Sequence, residues 1–219
     1  MPRFQAAVLL LGFAGVMWPQ DKPSTSSSRP SVSSSSASKP AAHSTAHGSS
    51  SLSDPGVITD GVYRNPTFGF SYKLPFGWVD RTREMQDDSG DSSPSRLLLA
   101  IFERPPEATG ETVNSAVVIA AEPISAYPGL KTAADYFGPL TELTTAKGFE
   151  AASGPYPFSV GTTSLVRGDF SKPRGTLTMH QSSLATLEKG YVISFTFIGG
   201  SEDEVNQLIE KLSVSSIKK

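Results

Sequence analysis

The segment KGYVISFTFIGGSEDEVNQLIEKL, residues 189–212, decides the fold. Its first half is a strand. Tyr191, Ile193, Phe195 and Phe197 fall at every second position and make one apolar stripe. Its second half is a helix. Ser201 stands at the cap, Glu204 sits three residues on at the capping-box position, and Val205, Leu208, Ile209 and Leu212 recur at i, i+3, i+4 and i+7. A strand running directly into a capped amphipathic helix calls for a sheet with a helix packed on it.

Reading upstream extends the sheet. Thr163–Phe170 and Thr176–Leu187 are strand-like, and Pro173-Arg174-Gly175 and Glu188-Lys189-Gly190 join them and the next strand as hairpin turns. A helix is expected between Thr132, with Asp135 in a capping-box-like relation, and the stop at Lys147-Gly148. Pro139 removes an internal helical hydrogen bond, so this helix is expected to kink or to split with Pro139 in the first turn of its second part. Arg96–Glu103 and Ser115–Glu122 are apolar on both faces, as central strands are. Further back, Phe68, Phe70, Tyr72 and Leu74 alternate with Gly69, Ser71 and Lys73 as a half-buried strand, Pro75-Phe76-Gly77 turns the chain, and Trp78-Val79 starts another strand. A polar loop is expected from Asp87 to Ser95. The order of strands, helix, three antiparallel strands and helix predicts an α+β fold: an antiparallel sheet flanked by helices.

The N-terminal quarter has a different character. Arg3 followed by the uncharged run Ala6–Trp18 fits a signal peptide over residues 1–20, and the 13-residue run is too short for a spanning helix of about 20 residues. Residues 21–53 hold 15 serines with Pro23, Pro30 and Pro40, and Val32 and Leu52 are the only large apolar side chains. Such a linker cannot bury enough apolar surface to offset its backbone entropy and is expected to be disordered, spanning about 30 Å as a coil. It is rich enough in Ser, Thr and Pro to carry O-linked sugar. Proline blocks the one N-glycosylation-like triplet, Asn65-Pro66-Thr67. The folded domain is therefore residues 54–219, long enough to bury about 70% of its unfolded surface without disulfides.

Charge and composition exclude several functions. The chain carries a net charge of -2, and the domain, with fifteen Lys and Arg against twenty Asp and Glu, stands at -5. This argues against a nucleic-acid partner. With no cysteine there is no disulfide framework, thiolate metal site, cysteine nucleophile or acylated cysteine anchor. No phosphate-cradling glycine motif is present, and no cofactor is expected.

The segment Tyr63–Trp78, YRNPTFGFSYKLPFGW, resembles the entry strand of the PsbP-like and DcrB-like proteins, an aromatic-rich strand ending in a Pro-x-Gly-Trp turn. Gly148-Phe149 after a helix and the ending Lys189–Ile217 are similar to the same family. The resemblance covers Gly61–Ile217 and implies a three-layer α/β/α sandwich around an antiparallel sheet. The family includes a photosynthetic extrinsic subunit, periplasmic proteins and a Ran-binding import factor, so the resemblance implies a binding or accessory role without naming a ligand. The metal-binding histidines of some relatives have no counterparts here, because His180 is the only histidine in the domain.

Candidate sites follow from residue types. Tyr72, Phe76 and Trp78 at the turn, with Arg81 and Arg83 beside them, are the candidate ligand or partner surface; aromatic residues at a strand end equally serve to close a core. Asp87, Asp88 and Asp91 supply the oxygen chemistry of a calcium site, without the spacing of an EF-hand loop. His43 and His47 are four apart, a metal-ligand spacing on a helix, but Gly48 and the serines disfavour a helix there. His180 shares a strand face with Thr178 and Ser182 and is the candidate base of a secreted hydrolase. The reading is an exported, periplasmic or extracellular, non-catalytic binding or accessory protein whose partner is an unknown protein or small ligand, with no transmembrane span in its mature form. The alternatives are that hydrolase and a structural envelope protein tethered through the linker.

Overall fold

The structure is a computed structural model and describes residues 55–89, 95–105, 108 and 110–215. The leader, the linker with His43 and His47, and Asp91 lie outside the described residues. In chain order the elements are β1 (Val57–Thr59), β2 (Val62–Asn65), β3 (Phe70–Lys73), β4 (Val79–Asp80), α1 (Thr82–Ser89), β5 (Arg96–Phe102), β6 (Ala116–Pro123), a 3-10 turn (Ile124–Ala126), α2 (Phe137–Ala146), β7 (Glu150–Ala151), β8 (Tyr156–Val160), β9 (Thr163–Arg174), β10 (Leu177–Glu188), β11 (Tyr191–Gly199), α3 (Glu202–Ile209) and β12 (Leu212–Val214).

An eight-stranded antiparallel sheet runs β4-β5-β6-β11-β10-β9-β7, with β8 also paired to β9. Lys189 and Gly190 take positive φ, 50° and 81°, and close the β10–β11 hairpin with Glu188 opposite Tyr191. Two consecutive left-handed residues match the twist of the strands they join.

Strand alternation divides this sheet into two faces. One carries Val117, Ile119, Ile193, Phe195, Phe197, Leu184 and Leu165. Against it pack Tyr63, Phe70 and Tyr72 from a second, four-stranded sheet, β1-β2-β3-β12, together with Val205, Leu208 and Ile209 of α3. Phe70 meets Phe195 edge-on with ring centroids 5.1 Å apart, and the Tyr72 hydroxyl donates to the Leu208 carbonyl at 3.1 Å. Ser201 caps α3 by accepting from the Glu204 amide at 3.1 Å. The opposite face is covered by α2, where Phe137 and Leu140 cluster with Tyr127, Tyr136, Ala185 and Val192. Gly168 of β9 permits this approach: a Cβ there would stand 2.7 Å from the Phe137 ring.

The α+β antiparallel architecture therefore forms as the sequence implies, with three layers, and one outer layer holds a small sheet as well as a helix. Four details differ from the sequence reading. The strand read at Phe68–Leu74 is β3 and belongs to the second sheet, whose β1–β2 hairpin was not anticipated. Asp87 and Asp88 lie on α1 and not in a loop. Asp80 starts that helix by accepting from the Thr82 amide at 2.9 Å, and Met85 is its one buried apolar anchor, so the pattern shows no periodicity. Thr132 and Asp135 do bond reciprocally, but in a turn preceding α2. Pro139 then falls in the first turn of α2, where its missing N–H costs nothing. Finally, β8 pairs with β9 despite Pro157, because it lies at an edge.

Candidate functional site

The α3-side face changes chemistry along β9 and β10. Leu165 and Leu184 are apolar, but the positions that follow on the same face are Arg167 and Asp169 of β9 and Ser182 and His180 of β10. The register sets Ser182 directly opposite Asp169. Edge strand β8 brings Tyr156 opposite Arg167, and α3 brings Asn206 and Glu202 over the top. Together they line a polar cavity of about 450 Å³.

Its hydrogen bonds form one network. Arg167 Nε donates to Asp169 Oδ1 at 2.8 Å, and Nη2 donates to Ser182 Oγ at 3.0 Å and to Asn206 Oδ1 at 2.9 Å. Ser182 Oγ donates to Asp169 Oδ1, and the Tyr156 hydroxyl donates to Oδ2 at 2.6 Å. The guanidinium also lies over the Phe158 ring at 5.0 Å. Burial pushes the Asp169 carboxyl up, but the bonds from Ser182, Tyr156 and Arg167 outweigh it and hold it below the usual carboxylate range. Burial, then Asp169, push the Tyr156 phenol up to about 12.

His180 lies at the rim of this cavity with Thr178 and Ser182, as the shared strand face implied. Its Nδ1 is 3.9 Å from Glu202 Oε1. The Ser182 hydroxyl points its proton at Asp169 and accepts from Arg167. A hydrolase nucleophile instead needs its hydroxyl bonded to a competent base that a third group orients, and a carboxyl held below its usual range is a weaker base than an ordinary one.

A second concavity lies on the α2 side. The 126–130 segment and α2 enclose an open cleft of about 630 Å³ walled by Tyr127, Leu130, Pro139 and Leu143 and edged by Asp135 and Glu142. Beneath it Glu122 is buried. Its Oε1 accepts from Tyr136 at 2.6 Å and its Oε2 from the Tyr127 hydroxyl. Burial raises the Glu122 carboxyl above its ordinary range, against the hydrogen bonds that lower it. Burial also pushes both tyrosines up.

The remaining sequence candidates are scattered. Tyr72 is 0% exposed and closes the core, which removes it from any surface platform, because its ring packs near Phe197 and its hydroxyl serves α3. Phe76 is fully exposed at the tip of its turn, while Trp78 is half-buried against the core. Arg81 pairs with Glu84, and Arg83 is exposed on α1 beside Asp87 in a shallow pocket with Ile58. Among the described residues no three His, Asp or Glu side chains group to hold a metal ion. The sequence reading missed Arg167, Asp169, Tyr156 and Asn206. The usable signal was a charged pair at i and i+2 on an otherwise apolar strand face, since a buried polar residue is the informative departure.

No protein-family model and no curated protein matches the chain. The chain is similar in structure to PsbP. The solution structure of cyanobacterial PsbP from Synechocystis is 15% identical, with a TM-score of 0.46 over 70% of this chain and 91% of that one. The Ran-binding protein Mog1p of Saccharomyces cerevisiae is 12% identical, with a TM-score of 0.42 over 67% and 90%. LpqN of Mycobacterium tuberculosis, described as involved in cell envelope biogenesis, is 13% identical, with a TM-score of 0.36 over 74% and 87%. Among the described residues no helix is long and apolar enough to cross a membrane.

Proposed function

We propose that this chain is an exported, non-catalytic binding or accessory protein acting on an unknown protein or small ligand outside the cytoplasm. Export rests on the uncharged run Ala6–Trp18 and the serine-rich linker behind it. The non-catalytic reading rests on one observation. The single histidine of the domain shares a cavity with Ser171, Thr178, Ser182 and two carboxylates, yet Ser182, the serine that bonds to a carboxylate there, is held by Asp169 and Arg167 while His180 stands beside Glu202. Arg167, Asp169, Ser182, Tyr156 and Asn206 thus satisfy one another and brace β8, β9, β10 and α3 together, and the Ser182 hydroxyl bonds to Asp169 and not to His180.

The test is ester hydrolysis by the full chain, with p-nitrophenyl acetate and butyrate, beside Ser182→Ala and His180→Ala. The reading expects all three proteins to give the same background rate. A rate that falls about a hundredfold or more in either variant, the scale of a lost general base, would overturn it.

A further inference from the structure

We propose that the α2-side cleft is a binding site for a small organic cation, an apolar body carrying one ammonium or amidinium group. The proposal rests on the binding-module reading and gives it a ligand class. Three features of the cleft carry it. Its volume of about 630 Å³ lies within the range of small-ligand pockets, about 300–1,000 Å³. Its walls are apolar: Leu130, Pro139 and Leu143 are half-buried and keep part of their surface open to the cleft. Its lining carries two carboxylates, Asp135 and Glu142, and no Lys, Arg or His.

The two carboxylates differ usefully. Asp135 Oδ2 accepts from the Lys131 and Thr132 amides at 2.9 and 2.7 Å, which fixes the group and holds its carboxyl below the usual range. Glu142 is exposed on α2, one turn beyond Pro139 and Gly138, which line the same cleft. A cation between them keeps its water on one side, and its apolar body displaces water from Leu130, Pro139 and Leu143. Lys131 is exposed and outside the lining, and its charge acts weakly on Asp135, behind the amide bonds that chiefly hold that carboxyl, so Glu142 is the carboxylate left to lead the attraction. A neutral ligand would use the walls only, and an anion would face two carboxylates.

The experiment is an NMR titration of the full chain with three isosteric probes, 3-phenylpropylamine, 3-phenylpropanol and 3-phenylpropanoate. The expected result is saturable shifts centred on Tyr127, Leu130 and Leu143, with the amine binding about tenfold tighter than the alcohol and the acid weakest, from two solvent-screened charge pairs. The double variant Asp135→Asn/Glu142→Gln should bring amine and alcohol to within about twofold, with the alcohol unchanged. Asn keeps an acceptor for the two amides, and a thermal melt checks that the variant folds. Leu143→Gln should weaken amine and alcohol together. The proposal is overturned if alcohol and amine bind equally, if the acid is preferred, if the double variant keeps the amine preference, or if no probe saturates at this cleft. Serine-dependent ester turnover would sink the non-catalytic reading and leave these titrations unaffected, so the two failures are distinguishable.

Discussion

Replacing Gly168 by Ala adds one methyl group to β9 on the face covered by α2. The backbone there does not need glycine, since Gly168 is not among the positive-φ residues. On propensity alone the change should help, by about 0.4–1 kcal/mol, because alanine has fewer unfolded conformations to lose. Packing opposes it. The new Cβ would lie 2.7 and 2.8 Å from Phe137 Cε1 and Cδ1, and Phe137 is 2% exposed and wedged beside Tyr136. Neither the strand nor the ring can move without disturbing the layer. Overpacking of this kind costs about 1–3 kcal/mol. The net effect is a destabilisation centred on about 1.3 kcal/mol, or a fall in Tm of roughly 3–5 °C for a chain of this size. Thermal unfolding followed by circular dichroism reads it. Adding Phe137→Leu to Gly168→Ala should restore part of the loss, with a coupling of about 1 kcal/mol between the two sites. A Gly168→Ala protein more stable than the parent, or a strictly additive double variant, would refute the close packing of α2 on β9.

Three further outcomes are expected. Glu122→Gln tests the buried carboxyl: a folded-state pKa raised by burial gives a stabilisation that is full below the unfolded value of about 4.3 and is lost as pH rises through the folded one. The stability of the parent relative to Glu122→Gln, from urea denaturation, should therefore fall as pH is raised above about 4.3, and a relative stability that climbs with pH would contradict it. Ser201→Ala removes the acceptor for the Glu204 amide and should cost about 1 kcal/mol, while Ser201→Asp should restore it; equal denaturation midpoints for all three would count against the cap. Gly190→Ala places a Cβ at φ 81° in the β10–β11 turn and should destabilise by about 1 kcal/mol, again read from denaturant midpoints; no change would mean that the turn is not as described.

The central strands were legible because their patterns are purely local. Tyr191, Ile193, Phe195 and Phe197 alternate, and all are at least partly buried on one face. Ser201 and Glu204 announced α3 because capping is a short-range bond. α1 was hidden, since Met85 is its one buried apolar side chain and the rest of it is polar. The second sheet was hidden for a different reason: β12 pairs with β3 across some 140 residues, a contact that no window of sequence contains. The same limit applies to the site. Thr178, His180 and Ser182 were placed on one face correctly from strand alternation. That Ser182 would face Asp169, and not His180, depends on the β9–β10 register and on the Arg167 side chain reaching between the strands. The acidic cleft depends on Asp135 and Glu142 flanking apolar residues from two segments, which spacing alone does not reveal.

The proposed non-catalytic role makes Ser182 a bracing residue in the Arg167–Asp169 network and not a nucleophile. The most direct measurement is covalent labelling of the full chain by a fluorophosphonate, followed by peptide mass spectrometry across residues 175–189. Ser182 is expected to stay unmodified under conditions that fully label a serine hydrolase added as an internal control. A stoichiometric phosphonyl adduct on Ser182, abolished by His180→Ala, would contradict it.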